Sequence, residues 1–180
     1  MLKQLAFAAF AFATIATTAS ARDLTDDDWA ALDEVVVAHE DALHNKDAGA
    51  VIDIFPPAVL PLIAQMTGVD EATAKQQGID AMMASAEGKS FDAYDIDYDN
   101  AQGPYELSDG TTYVLLPTKM IDIKGADGAL KNEVTVAVLI DEQWYLIGFD
   151  ANDEVQLLIA AYPAFGEPDF ITNFAAALVQ

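Results

Sequence analysis

The segment from Asn132 to Asp150, NEVTVAVLIDEQWYLIGFD, constrains the fold more than any other stretch of the chain. Val134, Val136, Val138 and Ile140 alternate with Glu133, Thr135, Ala137 and Leu139. After a short polar connection, Trp144 to Phe149 is almost wholly apolar and aromatic. This period-two patterning predicts a pair of β-strands, and an apolar sheet face of that length must be covered by a second layer. The other rich apolar supply lies in the N-terminal half, at helical spacing. The expectation is an α+β fold, with N-terminal helices packed in the concave face of a curved antiparallel sheet and a hollow between them.

The N-terminus carries a different kind of signal. Lys3, an apolar run from Leu5 to Ile15 and the small-x-small end Ala19-Ser20-Ala21 are the parts of a secretory signal peptide, residues 1–21, cut after Ala21. The run is short of the roughly 20 residues a spanning helix needs; a retained signal anchor is the alternative. The mature chain from Arg22 to Gln180 would form a single α+β domain over residues 22–161, followed by a C-terminal loop and a short helix or tail at 162–180. With no cysteine, neither a disulfide nor a thiolate-metal site can hold it, and packing must do so. The expected location is periplasmic or secreted. The 30 acidic and 8 basic residues give a formal charge of −22, and loss of Lys3 makes the mature chain more negative by one. Nucleic acid and anionic lipid bind through Lys and Arg, so this balance argues against nucleic acid and, after signal cleavage, against a membrane.

In chain order, Thr25 with Asp28 is a capping box at the start of an amphipathic helix, on which Leu32, Val35, Val36, His39 and Leu43 form one face. Short helices follow: one from Ala50 to Phe55 stopped by Pro56-Pro57, one with Pro61 in its opening turn that ends at Gly68, and one capped by Asp70 from Glu71 to Ala86, with a stripe of Ala74, Ile79, Met82, Met83 and Ala86. From Phe91 the period changes to two. Tyr94, Ile96 and Tyr98 alternate with Asp95, Asp97 and Asp99, predicting a strand with one buried and one acidic face. Tyr105 to Leu107 would pair through Ser108-Asp109-Gly110 with a long strand, Thr111 to Ile123, in which Pro117 argues for an edge or a bulge. Lys124 to Gly128 is a further hairpin turn. Ala151 to Ala161 reads as a helix.

Helices first, then a meander of long strands ending in a Trp-Tyr-aliphatic strand, resembles the NTF2-like superfamily, of the SnoaL and ketosteroid-isomerase-like kind. The residues that carry the likeness are the first helix with His39 to Asp47, and Asp141-Glu142-Gln143-Trp144-Tyr145-Leu146-Ile147 with the hairpins before it. The resemblance covers roughly Thr25 to Ala161, with a longer helical insertion from Pro56 to Ala86 than a minimal member has. It implies a cone-like α+β barrel enclosing an apolar pocket. It implies no particular reaction, since the fold hosts isomerases, dehydratases, cyclases and pure binding proteins.

A ketosteroid-isomerase type of site needs a base in an apolar cavity and a hydrogen-bond donor for the enolate oxygen. His39 is the candidate base, being on the apolar stripe of the first helix, with Tyr113 or Tyr145 as donor. A core histidine with a hydrogen-bonded ring explains the same position. Val36, His39, Leu43, Tyr113, Lys119 and Trp144 are the expected ligand-binding residues. The Asp95, Asp97 and Asp99 row lacks the loop glycine and spacing of a calcium loop, and Asp150 to Glu154 reads as helix capping, so neither metal nor cofactor is expected.

The preferred reading is a non-catalytic, exported domain that binds a small apolar ligand or a protein partner. One alternative is an isomerase or lyase acting on a hydrophobic carbonyl compound by general acid/base catalysis. Another is a dimeric scaffold, a homodimer pairing through the outer sheet face.

Overall fold

A computed structural model describes residues 23–86, 89–122, 129–149 and 155–178. The expected signal peptide, the Lys124 to Gly128 turn and the Asp150 to Glu154 cap lie outside the described residues. Helix α1, Asp26–His44, starts where expected: the Asp28 backbone N–H donates to Thr25 Oγ1 at 3.1 Å, and the Thr25 N–H donates to Asp28 Oδ2 at 2.9 Å. This reciprocal box satisfies two amides that would otherwise lack partners. Helix α2, Ala48–Asp53, is capped by Asp47 and cannot run through Pro56-Pro57. Helix α3, Val59–Thr67, stops at Gly68, whose φ of 72° closes the helix without the penalty a side chain would meet. Helix α4, Glu71–Ala86, is capped by Asp70, which accepts from the Thr73 N–H at 2.9 Å. Among the described side chains of its expected stripe only Ala74 is deeply buried, and Met83 is 42% exposed. α4 packs on α2 and α3 and lies at the surface.

Five strands follow: β1 Lys89–Ile96, β2 Gln102–Glu106, β3 Thr112–Asp122, β4 Ala129–Ile140 and β5 Gln143–Phe149. They form one antiparallel sheet in the order β1-β3-β4-β5, with β2 also paired to β3. β1 and β2 therefore share one edge of β3: Asp95 faces Lys119 and Ile96 faces Thr118, while Tyr105 faces Tyr113. Pro117 sits at their junction. Its carbonyl accepts from the Asp97 N–H at 2.8 Å, so its imino nitrogen points to the same gap, where no ladder partner is required.

β1 ends at Ile96, and Tyr98–Asn100 is a 3-10 turn. Asp95, Asp97 and Asp99 therefore do not form one strand face. Their alternation continues past the strand because a turn of this kind accepts Asp and Asn as readily as a strand edge does.

The sheet is strongly curled, a half-barrel with the N-terminal helices in its concave face, as the sequence pattern predicts. Against α1 stand Tyr94, Ile96, Val114, Leu116, Ala137, Trp144 and Leu146. Tyr113, Leu115, Val134, Val136, Val138 and Ile147 face the other way, and helices α5 (Val155–Ala161) and α6 (Pro168–Ala177) with the 3-10 turn Pro163–Gly166 between them cover them with Leu158, Phe165, Phe170 and Phe174. Residues 162–178 are thus part of the core and not a tail, because Phe165, Phe170 and Phe174 are at most 1% exposed. The outer sheet face, named above as the pairing surface of a dimeric scaffold, is covered by the chain's own aromatics. The free edge of β5 is also engaged, since the Leu146 N–H donates to the Ile54 carbonyl at 3.0 Å.

Asp141 and Glu142 form the two-residue turn between β4 and β5, with φ of 49° and 64°. Two positive φ values match the right-handed twist of the flanking strands but disfavour side chains. Replacing the pair by Asn-Gly (Asp141→Asn with Glu142→Gly) is expected to stabilise the domain by about 1 kcal/mol, raising Tm by about 3 °C. An unchanged or lower Tm in thermal unfolding would contradict this turn geometry.

Candidate functional site

Helix α1 is held in the curl by side chain to backbone hydrogen bonds at both ends. The Trp144 indole donates to the Asp28 carbonyl at 3.0 Å, and the Tyr98 hydroxyl donates to the Trp29 carbonyl at 2.8 Å. Further along, the Glu40 carboxylate accepts from the Ile96 N–H at 2.8 Å, where β1 leaves the sheet. Between these anchors Leu32, Val36, Val114, Leu116, Trp144 and Leu146, each at most 3% exposed, fill the apolar part of the chamber.

The remainder of the interior is polar. Thr118, Thr135 and Glu133 are 1%, 0% and 8% exposed, and Thr118 lies directly opposite Glu133 in the β3–β4 register. Thr118 Oγ1 donates to the Leu116 carbonyl at 3.0 Å. Its proton being used there, the 2.9 Å contact between Thr118 and Thr135 has Thr135 as donor, and the 3.5 Å contact beyond it has the Tyr94 hydroxyl donating to Thr135. The result is a directed hydroxyl chain, Tyr94 to Thr135 to Thr118 to a backbone carbonyl. Burial, together with the negative charge of Glu133 and Glu40, pushes the Tyr94 phenol well above the ordinary tyrosine range, so it remains a proton donor.

His39 projects into the same chamber. It is 3% exposed, its ring centroid lies 5.8 Å from that of Tyr94, and among the described residues its Nδ1 has no hydrogen-bond partner. Burial lowers its pKa to about 4, so the imidazole is neutral.

The structure brings together Val36, His39, Leu43 and Trp144, all buried on the concave side. Tyr113 and Lys119 are not with them. Strand alternation puts both on the opposite face from Val114 and Thr118, and Tyr113 packs against Phe165 and Phe170 with its hydroxyl accepting from Asn173 at 3.2 Å. Tyr145 alternates with Trp144 and also turns away from His39. The expected pairing of His39 with Tyr113 or Tyr145 is therefore corrected, because the sheet itself stands between them. The tyrosine beside His39 is Tyr94. The residues that sequence reasoning missed are Tyr94, Thr118, Glu133 and Thr135. The available signal was polar side chains at strand positions that become buried once both faces of β3 and β4 are covered.

Two hollows adjoin these elements. An apolar notch lined by Leu43, Val51, Met82 and Met83 has a volume of about 10 Å³, too little for an organic ligand. The larger, about 180 Å³, opens at the gap between β1 and β2 and is lined by Asp97 and Asn100, by Thr118 and Lys119, by Glu133 and by Ala177 of α6. A cavity of that size suits a molecule about as large as benzene. Among the described residues no group of three or more His, Cys, Asp or Glu is arranged to hold a metal ion. Comparison with family models, curated proteins and solved structures finds no match to this chain.

The depressed His39 pKa has a definite sign for stability. Above the unfolded value of about 6.5 the buried neutral ring costs nothing in protonation, whereas at lower pH the unfolded chain takes up the proton first, until the folded ring titrates at about 4. His39 should therefore remove about 2 kcal/mol of stability between pH 7 and pH 5. A His39→Met variant is expected to lose that part of the slope in urea unfolding at pH 7, 6 and 5. Parallel curves for the two proteins would contradict the buried neutral ring.

Proposed function

We propose that the chain is an exported, strongly acidic binding domain of the NTF2-like kind, non-catalytic, that takes one small molecule at the open, polar end of the curled sheet. The observation that carries this reading is the hollow of about 180 Å³ beside Thr118 and Glu133. Support for the family comes from the order of elements and from α1 lying in the concave face of a half-barrel sheet. The apolar ligand expected from the sequence is set aside, because the protein's own side chains fill the apolar part of the chamber and the space lies at its polar end. The isomerase or lyase alternative loses the donors proposed for it, Tyr113 and Tyr145, to the far side of the sheet. Export rests on the sequence of residues 1–21, and no described helix is long and apolar enough to cross a membrane.

Native mass spectrometry of the protein isolated from its own host tests both parts of the proposal. The expected mass is that of a chain beginning at Arg22 plus one molecule of about ten heavy atoms or fewer, released on denaturation. A bare chain contradicts the binding reading, and a chain that retains residues 1–21 contradicts signal cleavage.

A further inference from the structure

Met66, Met82 and Met83 lie in the helical layer and differ in what surrounds their sulfur. We propose that Met82 and Met83 form a peroxide-sensitive latch that holds the C-terminal half of α4 against α1 and α2, while Met66 takes up oxidant first and without structural consequence. This latch is independent of whatever the larger hollow binds.

The two halves of α4 are held by different chemistry. The first half is fixed by Ala74, which is 1% exposed, by an ion pair between Lys75 and Asp53 at the end of α2, and by the close approach of Ile52 to Gly78. Beyond Ile79, Asp80, Ala81 and Ala84 are exposed, and among the described side chains of that half Met82 and Met83 are the ones that meet the apolar notch against Leu43 of α1 and Val51 of α2. Met82 is half-buried beside the inner core, and Met83 is 42% exposed at the rim. Met66, in the last turn of α3, is 70% exposed and belongs to neither apolar core among the described residues. A thioether sulfur attacks one oxygen of a peroxide: the S–O bond forms, the O–O bond breaks, and the second oxygen leaves with its proton as water or an alcohol, so sulfur loses the two electrons that the peroxide gains. Access of the peroxide to sulfur orders the three as Met66, then Met83, then Met82. The sulfoxide is polar and larger than the thioether, and the notch has only about 10 Å³ to spare. Lys46, the one charged side chain in its wall, is exposed, so a sulfoxide oxygen gains that donor only by turning out toward water. Oxidation of Met82 thus detaches the end of α4, and a sulfoxide at Met66 points into solvent and disturbs no packing.

The mature chain is treated with hydrogen peroxide at pH 7, each methionine is followed by peptide mass spectrometry, and amide exchange and Tm report on the fold. The expected result is that Met66 is oxidised first with Tm unchanged. Met83 and then Met82 follow, and as Met82 is oxidised, amide exchange across residues 80–84 speeds up about tenfold and Tm falls by about 3 °C. Methionine sulfoxide reductases of both stereospecificities should restore the original exchange and Tm. Met66→Leu should leave the loss of Tm as it is. Met82→Leu with Met83→Leu, a swap that conserves volume, should abolish the loss while Met66 is still oxidised, and Met82→Leu alone carries the test if the double variant does not fold. A fully oxidised chain with unchanged exchange across residues 80–84 would overturn the latch, as would a double variant that still loosens there. Oxidation of Met82 as fast as that of Met66 would overturn the order of access on which the latch depends.

Discussion

The β3–β4 ladder is the constraint on which the rest of the molecule depends. It runs without a break from the pair Thr112 and Leu139 to the pair Asp122 and Ala129, and its central residues are buried on both faces. A strand pair buried twice needs two sets of helices, and the chain supplies them from opposite ends: α1 on the concave side, α5 and α6 on the other. Fully burying each Val or Leu of this pair contributes about 1.5–3 kcal/mol, so neither cover can be removed without loss of the fold. The same double covering forces Thr118, Glu133 and Thr135 out of water. Buried polar groups must find partners, and the directed chain from Tyr94 to the Leu116 carbonyl is how the hydroxyls find theirs.

The hollow follows from how β3 is edged. On the edge away from β4 no single strand pairs along its whole length, and the chain leaves the sheet at Asp97, turns through Tyr98–Asn100 and returns as β2. Pro117, which lacks an amide to offer, faces that departure. The gap lets side chains from the acidic connection approach the buried Thr118 and Glu133 pair, while Ala177 at the end of α6 is small enough to leave room. Architecture thus places a polar opening beside a filled apolar core. The Glu40 anchor at Ile96 and the Tyr98 anchor at Trp29 fix α1 to the two ends of the segment that frames the opening.

Much of this was legible in the sequence wherever the physics is local. The Thr25 and Asp28 box, the Gly68 stop, the Asp70 cap, the stripe of Leu32, Val36, His39 and Leu43, and the reading of Pro117 as an edge or a bulge all depend on residues within a turn or two of each other. What was not legible depends on distant covering. The sequence pattern looks to the N-terminal half for the cover of Val134, Val136 and Val138, yet they pack with Phe165, Phe170 and Phe174, because period-two patterning cannot say which helix covers which side. With that inversion Tyr113 and Lys119 left the candidate site and Tyr94, Thr118 and Glu133 entered it. The alternation of Asp95, Asp97 and Asp99 misled for a related reason, since a strand edge and a 3-10 turn tolerate the same residues.

The central claim is that α1 packs on the Val114, Leu116 and Leu146 side of the sheet, and that α6 packs on the other. Methyl NOE spectroscopy of the folded mature chain tests it most directly. The account predicts cross-peaks from the Leu32 or Val36 methyls to those of Val114, Leu116 or Leu146, and from the Phe170 or Phe174 rings to the methyls of Leu115, Val136 or Val138. Cross-peaks from Leu32 or Val36 to Leu115 and Val136 instead would contradict it, and the assignment of the buried polar chain and its hollow would fail with it.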